Sequence, residues 1–138
     1  MTKPKTAKAV WQGGLNFIGT GGSGLSLRMD NSLEDPGFSP MELVMVSLAG
    51  CTAMDVADIL AKKREPLEAF KVLVRGLRAD DYPKVYKEIH IEYVVKGKGV
   101  EKETVERAIA LSLDKYCSVG ATLAKTGTIT HSYRIVEE

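Results

Sequence analysis

The stretch SPMELVMVSLAGCTAMDVADILAKK, Ser39 to Lys63, decides the fold. Ser39 is suited to cap a helix, Pro40 fits the first helical position, and Glu42 stands three residues after Ser39, completing a capping box. Arg64-Glu65-Pro66 ends the pattern, with basic residues at the negative end of the helix. Apolar residues go nearly all the way round, so neighbours must cover this helix on most sides. The run Leu43 to Leu60 is about long enough to span a bilayer. Asp55 and Asp58 interrupt it, however, and carboxylates are expensive in lipid. A central buried helix is the expectation.

Before this helix, residues 1 to 6 read as a loose tail. Three short strands are expected over Lys8 to Gln12, Leu15 to Gly19 and Gly24 to Met29, joined by glycine-rich turns. The run Gly19 to Gly24 has a superficial likeness to a phosphate loop. It lacks the Lys-Ser/Thr ending and does not lead from a strand into a helix, so a hairpin turn is the reading. A polar loop, Asp30 to Gly37, leads to the helix.

After the helix, Phe70, Val72 and Val74 alternate with polar residues, as do Ile89, Ile91, Tyr93 and Val95. That is period two, with one wet face. Asp80-Asp81-Tyr82-Pro83 turns between these strands. A second helix is expected from about Lys102 to Tyr116, with Val105, Ile109, Leu113 and Tyr116 along one face. Cys117 comes just beyond, then a helical turn or two from Ser118 to Leu123, and a last strand from Thr128 to Val136. The order β-β-β-α-β-β-α-β is α+β, in a single domain over residues 1–138.

Composition narrows the function. Hydrophobic content of 44% and charged content of 27% are ordinary for a globular chain. The formal net charge is +1 and the basic residues are scattered, which offers no footprint for nucleic acid or for a membrane surface. Met1 to Lys8 has lysines but no apolar stretch after them, so no secretory signal is expected. Two cysteines in such a chain indicate a reducing, cytoplasmic setting, where a lasting structural disulfide is unusual. They are then either inert packing residues or reactive thiols.

Both readings stand on the residues alone. Free cysteine is among the most buried residue types, which favours inert packing. Against that, Cys51 lies mid-helix among Ala49, Gly50 and Ala53, small enough for another element to approach. Cys117 falls where the second helix breaks, and a cysteine opening a helical turn meets free amides that favour thiolate. Asp55 lies one turn after Cys51 on the same helix face. A carboxylate there raises a thiol's pKa unless something intervenes, or else it holds a cation or a partner chain. Glu42 is a candidate catalytic carboxylate, although the capping box already accounts for it. Cys51, Cys117, His90 and His131 can be counted as a zinc set, but none has a partner at close ligand spacing, so neither a metal nor another cofactor is expected.

Ser39-Pro40-Met41-Glu42-Leu43 opening an apolar helix, then Ala49-Gly50-Cys51-Thr52 with Asp55, resembles the OsmC/Ohr family (osmotically inducible protein C and organic hydroperoxide resistance protein). Tyr116-Cys117-Ser118-Val119, followed by a short run to a final strand, is similar to the family's second cysteine motif. The resemblance covers essentially the whole chain. It implies an intertwined homodimer in which antiparallel sheets from both chains wrap two central helices. It also implies reduction of organic hydroperoxides by a peroxidatic Cys51, a resolving Cys117, and an external dithiol reductant. Two departures stand out. The hydroperoxidase members carry an arginine in the N-terminal strand-turn region, whereas no arginine lies between Trp11 and Leu25 here and Arg28 is the nearest. The same members place a glutamate directly after the Asn-Pro or Ser-Pro pair, where this chain has Met41, with Glu42 one later. One position along a helix turns a side chain by about 100°. These departures imply a divergent branch with weaker or different activity.

Three functions follow in order. The first is a thiol-dependent peroxidase working through Cys51 and Cys117, with Glu42 as a further catalytic candidate. The second is a redox-sensing or apolar-ligand-binding protein on the same fold. The third, cysteine acyl transfer, lacks a histidine near either thiol in sequence and ranks last.

Overall fold

A computed structural model describes residues 3–137. The chain divides between Val44 and Met45 into two compact units. In the first, strands β1 (Ala7–Trp11), β2 (Asn16–Gly21) and β3 (Ser26–Asp30) form an antiparallel sheet in that order. The β1–β2 turn uses Gly13 and Gly14 at φ 110° and 55°, conformations that cost a side-chain-bearing residue energy. The Trp11 Nε1–H donates to the Gly14 carbonyl at 2.9 Å and braces the turn. The glycine run 19–24 is the end of β2 and its hairpin turn, as its residues indicated. Asp30 is buried at the end of β3, where its carboxylate accepts from the Ser32 amide and the Arg28 guanidinium, each at 2.9 Å. The Ser32 amide, and then Arg28, hold this carboxyl below its usual range.

Helix α1 runs Pro40–Lys62. The Ser39 Oγ accepts from the Glu42 amide at 3.2 Å, so Ser39 caps as expected. At the other end Arg64 takes a left-handed conformation, φ 59°, and the Glu65 amide reaches back to the Leu60 carbonyl at 3.0 Å. That closes the helix in a Schellman turn. By length and composition α1 could cross a membrane. Within the second unit it instead sends a stripe of Leu48, Thr52, Val56 and Leu60 into the core, all fully buried. Burying each of the three aliphatic members contributes roughly 1.5–3 kcal/mol.

The second unit's sheet has the order β4-β5-β6, from β4 (Ala69–Arg78), β5 (Tyr86–Lys96) and β6 (Thr128–Val136). Ile89, Ile91, Tyr93 and Val95 alternate inward along β5, each no more than 1% exposed, so the period-two pattern reads correctly. The β4–β5 pair is antiparallel, but β5–β6 is parallel. The sheet is therefore mixed, a departure from the all-antiparallel expectation. Parallel neighbours need a long crossover. Helices α2 (Lys102–Leu111) and α3 (Ser118–Leu123) supply it.

Between those helices the sequence pattern pointed to one helix through Tyr116. Instead, α2 widens into a π-helical turn over Ser112–Tyr116, and Cys117 follows in an extended conformation, φ −74° and ψ 96°. Val105 and Ile109 are buried as expected, but Tyr116 is 51% exposed. The wider turn shifts the angular phase of everything after Leu111. It leaves Ser112, fully buried, facing α1.

Candidate active site

Helix α1 places Cys51, Thr52 and Asp55 on adjoining positions of one face, and the break after the π turn places Cys117 opposite them. The two sulfur atoms and a carboxylate oxygen of Asp55 all lie within 4.8 Å of one another. Both cysteines are free thiols. Cys51 and Asp55 are half-buried, while Cys117 is only 2% exposed. Of the two cysteines, Cys117 is the more deeply buried.

Cys117 caps α3, with its Sγ accepting from the Gly120 amide at 3.3 Å. Gly120 suits this contact because a Cβ there would sit 3.3 Å from the same sulfur and 3.7 Å from Leu48. Burial pushes the Cys117 thiol up to about 11. The Gly120 amide pulls the other way, and Cys51 and Asp55 add to the rise. The amide that sequence reasoning expected to favour thiolate is present, but desolvation outweighs it.

Beneath the thiols runs a buried chain of hydroxyls. The Tyr93 OH lies 2.7 Å from Thr52 Oγ1, Thr52 Oγ1 lies 2.7 Å from Ser112 Oγ, and the Ser112 hydroxyl donates to Asp55 Oδ2 at 2.9 Å. Each hydroxyl has one proton. Since Ser112 gives its proton to the carboxylate, Thr52 must donate to Ser112 and Tyr93 to Thr52. Every donor points toward Asp55. Burial, first of all, pushes the Tyr93 phenol up to about 12.

Sequence reasoning missed Thr52, Tyr93 and Ser112. A signal for Ser112 was present, because it continues the apolar face of Val105 and Ile109, where a serine is a polar residue at a core position. Glu42 is exposed in the first turn of α1, within the first unit. It lines a hollow of the first unit with Arg28, Gly37 and Phe38. Arg28 is engaged by Asp30 at 2.9 Å and Asp35 at 3.3 Å. The histidines stay apart from the thiol cluster. The His90 ring nitrogens lie 2.7 Å from Thr130 Oγ1 and 3.0 Å from Ser132 Oγ, and His131 meets the Tyr93 ring edge-on at 6.5 Å.

The model of the OsmC-like protein family matches residues 32–132, which include both thiols, Asp55 and the hydroxyl chain. Protein YhfA of Escherichia coli K12 is 38% identical over 130 residues, covering 94% of this chain and 97% of YhfA. A hypothetical protein from Aquifex aeolicus has the same fold at a TM-score of 0.89 and 33% identity, with 99% of each chain covered. An organic hydroperoxide resistance protein OsmC from Legionella pneumophila shares the fold at a TM-score of 0.71 and 17% identity, over 96% of this chain and 98% of its own. With the family match running from the loop before α1 into the last strand, the chain belongs to the OsmC-like protein family.

Proposed function

We propose that this protein reduces organic hydroperoxides through Cys51 and Cys117. The observation that carries the reading is the pairing of a half-buried cysteine with a buried one, their sulfurs inside 4.8 Å. The Cys51 thiolate attacks the outer peroxide oxygen. An S–O bond forms, the O–O bond breaks, and the departing alkoxide takes a proton to leave as alcohol. Cys117 then gives up its proton, its sulfur displaces water from the Cys51 sulfenic acid, and a disulfide results. An external dithiol restores both thiols by exchange. The exchange belongs in a reducing cytoplasm, where such a dithiol is available.

Asp55 lies beside both sulfurs and is a natural acceptor for the thiol protons. Glu42 stays in the proposal as a second carboxylate, on the hollow it shares with Arg28. A homodimer belongs to the same reading. Val46 and Met54 of α1 are 55% and 75% exposed, and a second chain would cover them. The Legionella protein's designation as a hydroperoxide resistance protein supports the substrate class. Redox sensing is the second reading, favoured by the engagement of Arg28 with Asp30 and Asp35, since a cation spent there does little for a thiolate. The deciding experiment is consumption of an organic hydroperoxide by the purified protein with a dithiol, for wild type and Cys51→Ser. Turnover by wild type alone supports the peroxidase; equal rates refute it.

A further inference from the structure

We propose that the reduced cluster binds a divalent metal ion of the zinc class, ligated by Cys51 Sγ, Cys117 Sγ and an Asp55 carboxylate oxygen, with the fourth position open to water. The donor chemistry selects such an ion. Two thiolates favour a soft or borderline metal, and a carboxylate completes three protein ligands with one site free. The geometry is nearly formed. A tetrahedral ion with Zn–S bonds of about 2.3 Å sets its sulfurs about 3.8 Å apart. The three donor atoms already lie within 4.8 Å of one another, so the site closes by a shift of about 1 Å at side-chain ends. Cys51 and Asp55 are four positions apart on one helix, the spacing at which two side chains meet above one helical turn.

The supporting shell is an independent observation. Metal-ligating carboxylates are held by hydrogen bonds behind them. Here Ser112 holds Asp55 by one oxygen, leaving the carboxylate a second, while Thr52 holds Ser112 and Tyr93 holds Thr52, all three fully buried. The Gly120 amide fixes the Cys117 sulfur. Two donors thus orient two of the three ligands, and two more hydroxyls stand behind Ser112. Among the described residues no lysine, arginine or histidine forms an ion pair with Asp55, so the carboxylate is not already spent on a protein cation. Cys51 and Asp55 are half-buried and so not wholly sealed from solvent within this chain. Binding replaces two S–H bonds by two metal–sulfur bonds and releases two protons. An occupied site has both sulfurs on the metal, so it also withholds them from peroxide and from each other.

The inference does not rest on the peroxidase reading, since its test contains no peroxide. The reduced full-length protein is titrated with Co²⁺ without oxygen, and then with Zn²⁺. The expected result is one equivalent per chain, with thiolate-to-cobalt charge-transfer bands and visible bands of four-coordinate cobalt that Zn²⁺ abolishes. Cys51→Ser and Cys117→Ser should each remove most of the charge-transfer intensity. Ser112→Ala should weaken binding about 10–100-fold with both thiols intact, and Ser112→Thr should restore it. Asp55→Asn gives the same reading by near-isosteric replacement should Ser112→Ala fail to fold. Absence of the bands in wild type overturns the proposal. So does cobalt affinity indifferent to Asp55→Asn and Ser112→Ala, which would mean a bare dithiol chelate.

Discussion

Ser112 Oγ donates to Asp55 Oδ2 at 2.9 Å, joining two residues 57 positions apart in the chain. This bond ties the first central helix to the π turn that precedes Cys117. It also gives direction to the hydroxyl chain behind it, so substitutions along that chain should differ in cost according to what each leaves unpaired.

Thr52→Val is the first case. The shape is kept, but Thr52 is the middle link, so the Tyr93 hydroxyl loses its acceptor and Ser112 loses its donor. A buried polar group left without a partner costs about 1–3 kcal/mol. Tyr93→Phe removes the terminal donor and strands only one Thr52 lone pair, so it should cost about 1 kcal/mol. Denaturant melts of the two variants should rank Thr52→Val as the more destabilised; the reverse order would mean that Thr52 is not the middle link of the chain.

The buried thiol sets a pH dependence. Folding raises the Cys117 pKa from 9.0 to about 11, so the folded state keeps a proton that the unfolded state loses. That contribution to stability is fully present below pH 9 and is lost as pH rises toward 11. Tyr93, raised from 10.0 to about 12, extends the loss higher. Midpoints measured from pH 8 to 11 should fall, and less steeply in Cys117→Ser. An identical slope in the mutant would show that the thiol is not held neutral.

Much of this was legible in the sequence because local rules agreed with one another. Ser39, Pro40 and Glu42 mark the start of α1, Arg64 to Pro66 mark its end, and period-two alternation marks β5. Both cysteines stood out by their surroundings. The parallel pairing of β6 was not legible, since its side-chain alternation is the same in either direction. Nor was the π turn, because a pattern of Val105, Ile109, Leu113 and Tyr116 fits an unbroken helix. The hydroxyl chain depends on that turn and on side chains from three elements, so it appears only in three dimensions.

The exposed apolar residues of α1 bear on assembly. Val46 and Met54 are 55% and 75% exposed on a helix whose other side is core. Sedimentation should give about twice the 15.0 kDa chain mass, and Met54→Glu should shift the population toward monomer by placing a charge in the contact. A folded wild-type monomer at micromolar concentration would rule the dimer out.

The thiol pair makes the sharpest kinetic prediction. If Cys51 is the nucleophile, Cys117→Ser should still react once with an organic hydroperoxide and then stall as sulfenic acid, sliding to sulfinic acid under excess peroxide. Wild type should instead form the Cys51–Cys117 disulfide, because the sulfurs start within 4.8 Å. The resolving step requires Cys117 to lose a proton that burial holds to about pH 11, so disulfide formation should accelerate with pH well above neutrality. Asp55→Asn should slow that step at neutral pH if the carboxylate accepts the proton. The measurement is single-turnover quenching with mass spectrometry of the non-reduced protein across pH. Sulfenic acid accumulating in wild type as long as in Cys117→Ser would remove Cys117 from the mechanism. A disulfide linking two chains in place of the internal one would place the reacting partner on a second copy.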